Sequence, residues 1–182
     1  MTWRRIAVYY LLSIVLGGYF LVSRPRSEGT LAGPTKRSTD QSARLLPFAR
    51  DDIQELTLRS DEGAVTAHRT GQIWTVLSPA EAKVNSALVT SFVENLTADK
   101  EARIVAESPS DLAAYGLAPP YATVVIKGKN TDEVETVLIG NRNPTGSAIY
   151  ARREKAPQVV LVGYSVRSYA DLIFEGAGVG KK

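Results

Sequence analysis

Residues Ile6 to Val22, IAVYYLLSIVLGGYFLV, form an uncharged apolar run directly behind Trp3, Arg4 and Arg5, and no other segment of the chain resembles it. As a helix rising about 1.5 Å per residue, the run is just long enough to cross a hydrocarbon core about 30 Å thick. Everything downstream must therefore fold as a part tethered to that span. Tyr19, Phe20, Leu21 and Val22 put bulky side chains where a signal peptidase needs small ones, so the run reads as a retained signal anchor. The chain has no cysteine, which rules out a lipoprotein anchor, disulfides, zinc-thiolate sites and thiol nucleophiles together. Arginines flank both ends, Arg4 and Arg5 before and Arg24 and Arg26 after, and leave the positive-inside count ambiguous. The very short N-terminal tail favours insertion with the N-terminus cytoplasmic and everything after Val22 exported.

Charge is distributed unevenly along the chain. Residues 1 to 50 hold eight Lys or Arg against Glu28 and Asp40, a balance of +6; the total is +3, so residues 51 to 182 carry −3. The basic character belongs to the membrane-proximal part, where Arg and Lys lie among anionic headgroups of the bilayer. Their position beside the span favours headgroups over nucleic acid, and no nucleic-acid partner is expected.

Residues 23 to 46 change composition to proline, glycine and hydroxyl residues with few large apolar side chains, which is a linker and not a fold. From 47 the pattern is that of a soluble domain running to 175. IQELTLRS, AVTAHRT and IWTVL alternate polar and apolar residues between the turns DEG and TGQ, as an antiparallel meander does. After Pro79, Asn85 or Ser86 can cap a helix whose Leu88, Val89, Phe92, Val93 and Leu96 share one face. A strand Ala102 to Ala106 follows, then Ser110 as the cap of a short helix Asp111 to Tyr115 ended by Gly116. The strands Ala122 to Lys127, Val134 to Ile139, Ala148 to Arg153 and Val159 to Val162 come next, then a helix bearing Val166, Tyr169, Leu172, Ile173 and Phe174. The expected fold class is α+β: a single N-terminal transmembrane helix, a linker, then antiparallel β-meanders each followed by a covering helix. The two halves, 47–106 and 107–175, suggest a two-fold repeat. The glycine-rich tail 176–182 is expected to be disordered.

Several of these segments carry a resemblance. The apolar N-terminal anchor, DDIQELTLR, Trp74 in GQIWTVLSP, DLAAYGLAPP (Asp111 to Pro120), LIGNRNPTGSAIYARR (Leu138 to Arg153) and VVLVGYSV together resemble the DUF4340 family of bacterial membrane-anchored proteins, AYGL-x-PP being the most specific element. The resemblance implies an accessory component of an ABC-type transport system, including those linked to gliding. It also implies an exported domain in the periplasm of a cell whose inner membrane holds the anchor. It supplies no catalytic residues and no cofactor.

Individual residues add little chemistry. His68, the only histidine, falls on the polar side of a strand, and one histidine without cysteine is a poor start for a metal site. Asp51 and Asp52 are adjacent at a strand start and suit a turn better than an acid–base pair. The loop GNRNPTG, with Arg142, has glycines and a cation but lacks the Gly-Lys-Ser/Thr of a phosphate loop. Tyr115 and Tyr121 flank Gly116 and the proline pair and offer an aromatic ridge for a protein or peptide, although in so short and proline-stiffened a segment Tyr115 is more readily a cap on the core. With Arg142, Arg152 and Arg153 they make up the candidate interaction surface. Within the anchor, Ser13 and Gly17 form a small-x-x-x-small pair, with Gly18 beside it, suited to close helix packing. Two functions are open: a non-enzymatic accessory or scaffold subunit of an integral membrane protein complex, transporter or energy-converting, or a tethered periplasmic module that binds a ligand or the envelope through the arginines.

Overall fold

In strand β1 (Ile53–Ser60) Leu56 and Leu58 point one way and Glu55, Thr57 and Arg59 the other, and the same alternation fixes the faces of β2 (Gly63–Thr70) and β3 (Ile73–Ser78). Two-residue turns at Asp61–Glu62 and Gly71–Gln72 join the three into a meander, with Leu58 opposite Val65 and Ala67 opposite Val76. The computed structural model describes residues 45–98, 102–129, 131 and 133–180, all of them within one compact unit. Helix α1 (Ser86–Thr97) follows, and the Asn85 side chain accepts the Ala87 amide at 2.9 Å at its N-terminus. Its buried residues, Val89, Phe92, Val93 and Leu96, lie on one 3.6-period stripe. The remaining elements are β4 (Arg103–Ala106), a short 3-10 turn (Ala113–Tyr115), β5 (Ala122–Gly128), β6 (Val134–Arg142), β7 (Ala148–Arg153), β8 (Val159–Gly163) and α2 (Ser165–Gly176).

The eight strands of the described residues belong to one antiparallel sheet in the order β3-β2-β1-β5-β6-β7-β8-β4. This corrects the expected pair of meanders, each with its own helix. β1 pairs with β5, Leu58 opposite Val124 and Leu56 opposite Ile126, and this seam fuses the two halves. β4 leaves the first half altogether and closes the far edge against β8. The physical reason is edge burial. Two separate sheets would each expose the unpaired backbone of two edges, whereas joining β1 to β5 removes one edge from each. The two halves also differ in order, since the first places its helix before its fourth strand and the second places it after.

Both helices contribute to the same core. The core joins Leu56, Leu58, Val124, Ile126, Val137, Ile139, Ile149 and Val160 from the sheet to Phe92 and Val93 of α1 and to Val166, Ala170, Ile173 and Phe174 of α2. The helices pack along each other, and the Ser165 hydroxyl bonds the Asn95 side-chain oxygen at 2.6 Å between them. The opposite face of the sheet carries Glu55, Thr57, Thr66, His68 and Lys127; the hydroxyls of Thr57 and Thr66 meet at 3.2 Å.

Leu45 and Leu46, expected in the linker, are buried in the core at 6% and 3% exposure. The expected anchor over 1–22, with Ser13, Gly17 and Gly18, lies outside the described residues, as does the linker as far as 44. Among the described residues no helix is long and apolar enough to cross a membrane.

Candidate functional site

The segment between β4 and β5 is held by two close contacts. Asp111, and not the expected Ser110, caps the 3-10 turn, its carboxylate accepting the amides of Ala113 at 2.9 Å and Ala114 at 3.2 Å. An aspartate one residue nearer the turn reaches both amides from where it stands. Gly116 then turns the chain in the left-handed region, φ +66°, and lies so near Asn141 that a Cβ would come within 2.3 Å of its side chain. Gly140 is crowded from the other side, because a Cβ there would sit 2.3 Å from the Tyr115 carbonyl oxygen. Tyr115 closes the contact by standing edge-on to Tyr150, ring centroids 5.0 Å apart at 81°. The stretches DLAAYGLAPP and LIGNRNPTGSAIYARR, distant in sequence, are thus one packed unit. After Leu117, which is buried, the chain bends through a cis Ala118–Pro119 bond, Leu117 and Pro120 bridge, and Tyr121 leads into β5 with its amide on the Ile139 carbonyl at 2.8 Å.

This bend forms the floor of a cleft of about 880 Å³ at the end of the sheet where β1 stops, β5 starts and β6 ends. Its walls are the β1–β2 turn with Asp61 and Glu62, one side of α2, and the residues that follow that helix. The chain does not leave the domain at the helix end. The Val179 amide donates to the Phe174 carbonyl at 2.9 Å, and the Val179 side chain reaches Gly63, so residues up to Gly180 complete the rim.

Inside the cleft Tyr121 is gripped twice. Its hydroxyl donates to the Asp171 carboxylate, and the Arg167 guanidinium lies over its ring, 3.6 Å from the centroid. Burial, and then the bond to Asp171, push the phenol up to about 12. A phenol so placed stays protonated and bonded at neutral pH. Arg167, Asp171 and Glu175 recur every four residues on one side of α2, a spacing visible in the sequence that points three charged groups to one place. They were absent from the residues expected to function, as were Asp61 and Glu62.

The expected surface does not assemble as one. Tyr121 lies in the cleft, and Tyr115 packs beneath it against Tyr150. Arg142 covers the Tyr164 ring at 4.0 Å and donates to its hydroxyl. Arg152 and Arg153 are opposite Leu138 and Val137, so they point to different faces of the sheet, and the Arg152 Nε donates to the Ala156 carbonyl at 2.8 Å. Elsewhere Asp51 binds Arg69 at 3.0 Å, which holds its carboxyl below the usual range, and His68 stays on the open face. Among the described residues no three His, Asp or Glu converge as metal ligands.

The family model for a domain of unknown function, DUF4340, matches residues 74–174, more than half of the chain, from Trp74 in β3 to Phe174 in α2. The chain belongs to the DUF4340 family. The cleft floor, Asn141, Arg167 and Asp171 lie within the matched DUF4340 stretch, whereas Asp61, Glu62, Glu175 and Val179 lie outside it. No curated protein and no solved structure matches the chain.

Proposed function

We propose that this DUF4340 protein is a non-enzymatic accessory subunit of a larger bacterial membrane complex, a transporter or an energy-converting assembly. The run Ile6–Val22 anchors it in the inner membrane and the domain from Leu45 onward stands on the periplasmic side. The cleft beside α2 serves as its docking surface. The observation that carries this reading is the state of Tyr121. Its phenol is hydrogen-bonded to Asp171, covered by Arg167 and held protonated, which is the opposite of an activated nucleophile or base. With its hydroxyl bonded and its ring covered, Tyr121 supports a role in shaping the cleft more than one as the nucleophile or base of a reaction. A tethered ligand-binding module built on Arg142, Arg152 and Arg153 draws less support, because those guanidiniums are spread over different surfaces.

The test is extraction of the full-length chain from its native membrane in mild detergent, affinity capture, and mass spectrometry of the proteins that stay bound. One membrane complex in fixed ratio to the chain is the expected result. Recovery of the chain alone would overturn the reading.

A further inference from the structure

We infer that the cleft takes an extended, basic peptide segment of the partner, with apolar side chains on its floor and Lys or Arg at its rim. The inference deepens the accessory-subunit reading and rests on it, since it names the chemistry of the partner. The base of the cleft is apolar and braced. Pro119 and Pro120 of the floor, with Phe174 and Val179 beside them, present apolar surface, and Gly116 locked on Asn141 and Val179 bonded back to Phe174 hold it in shape before anything binds. A preformed floor costs a ligand no ordering of the receptor.

The rim is acidic. Among the described residues, Asp61 and Glu175 line the cleft together with Asp171, which is bonded to the Tyr121 hydroxyl, and Arg167, whose guanidinium is laid on the Tyr121 ring. Asp61 and Glu175 are exposed, so a basic side chain can pair with them without leaving water, which selects basic over neutral segments and speeds their encounter. The same field repels the alternatives. An anionic headgroup or nucleic acid meets like charge, and so does a second copy of this domain, whose part of the chain carries −3. About 880 Å³ open to solvent has room for several residues of extended chain.

The experiment uses the full chain in mild detergent and fluorescein-labelled hexapeptides read by anisotropy. The probe is KLRPLK-amide with the fluorophore on its N-terminal amine, its neutral counterpart QLQPLQ-amide labelled in the same way is the control, and spermine is the competitor that carries charge without apolar side chains. The basic peptide is expected to bind at least tenfold more tightly than the neutral one, and to lose at least tenfold in the Asp61→Asn, Glu175→Gln double variant. Val179→Ala should weaken the basic peptide several-fold and leave spermine unaffected. Equal binding of the two peptides, an unchanged double variant, or displacement of the peptide by equimolar spermine would each overturn the inference. The double variant also separates the two proposals. If it still captures the same membrane complex in the same ratio, the cleft assignment fails while the subunit reading stands; if the wild type captures nothing yet binds the basic peptide, the reverse holds.

Discussion

Gly140 and Gly146 stand on either side of the start of the β6–β7 turn and are glycines for opposite reasons. Gly146 has φ +73° and nothing within 4 Å of where a Cβ would be, so only its own backbone asks for glycine. Gly140 is buried, and what excludes a side chain there is the Tyr115 carbonyl, an atom supplied by a different part of the chain. The first requirement is local and the second is tertiary. The difference separates the exposed hairpin of GNRNPTG from the packed unit that underlies the cleft.

Substitutions should grade with that difference. Gly140→Ala drives a methyl into a backbone oxygen that no rotamer can move, and is expected to cost about 3 kcal/mol, at the upper end for overpacking. Thermal unfolding of the full chain followed by circular dichroism should show a fall of roughly 10 °C. A fall no larger than that of Gly146→Ala would break the comparison. Gly116→Ala combines both causes, a left-handed backbone and the Asn141 side chain, and is expected to cost about 2 kcal/mol. Adding Asn141→Ala should recover the crowding and leave about 1 kcal/mol of backbone strain. No recovery in the double variant would mean that Asn141 does not set the fit. Gly146→Ala, with backbone strain alone, should cost about 1 kcal/mol, and Gly146→Asn less, because asparagine tolerates the left-handed region.

The smallest effect concerns pH. Tyr121 is raised in the folded protein from 10.0 to about 12, so the stability it contributes is complete below pH 10 and is lost as pH rises through about 12. The stability gap between wild type and Tyr121→Phe should therefore close over that interval in alkaline denaturation curves. A gap that stays constant would show that neither burial nor Asp171 discriminates between the phenol and its anion.

Much of this architecture was legible along the chain. Asn85 as a cap, the stripe from Val89 to Leu96, the bounds of Ala148–Arg153 and the turns at Asp61 and Gly71 all follow from local rules and stand in the structure. The shift of the cap from Ser110 to Asp111 is a one-residue error between two competent side chains. The cleft was half legible. Tyr121 and the proline pair stand out in the sequence, and the four-residue spacing of Arg167, Asp171 and Glu175 is there to be read, but nothing in that spacing says what the helix side faces. Arg152 and Arg153 illustrate the converse. Adjacent arginines look like one cationic patch until a strand alternates them to opposite faces of a sheet.

By itself, the order of residues determined the apolar run at the N-terminus, the alternation that makes each strand two-faced, the helix stripes and the turns. These depend on neighbours a few positions apart, and backbone geometry imposes periods of 2 and 3.6 wherever a residue lies. Only the tertiary structure decided that β1 joins β5, that β4 crosses to β8, and that Tyr115 comes to rest on Gly140. Any of several apolar strands would satisfy β1 equally well when read alone. The choice is made by the edges that must be removed and the single core that both helices must cover, and these are properties of the whole assembly of strands.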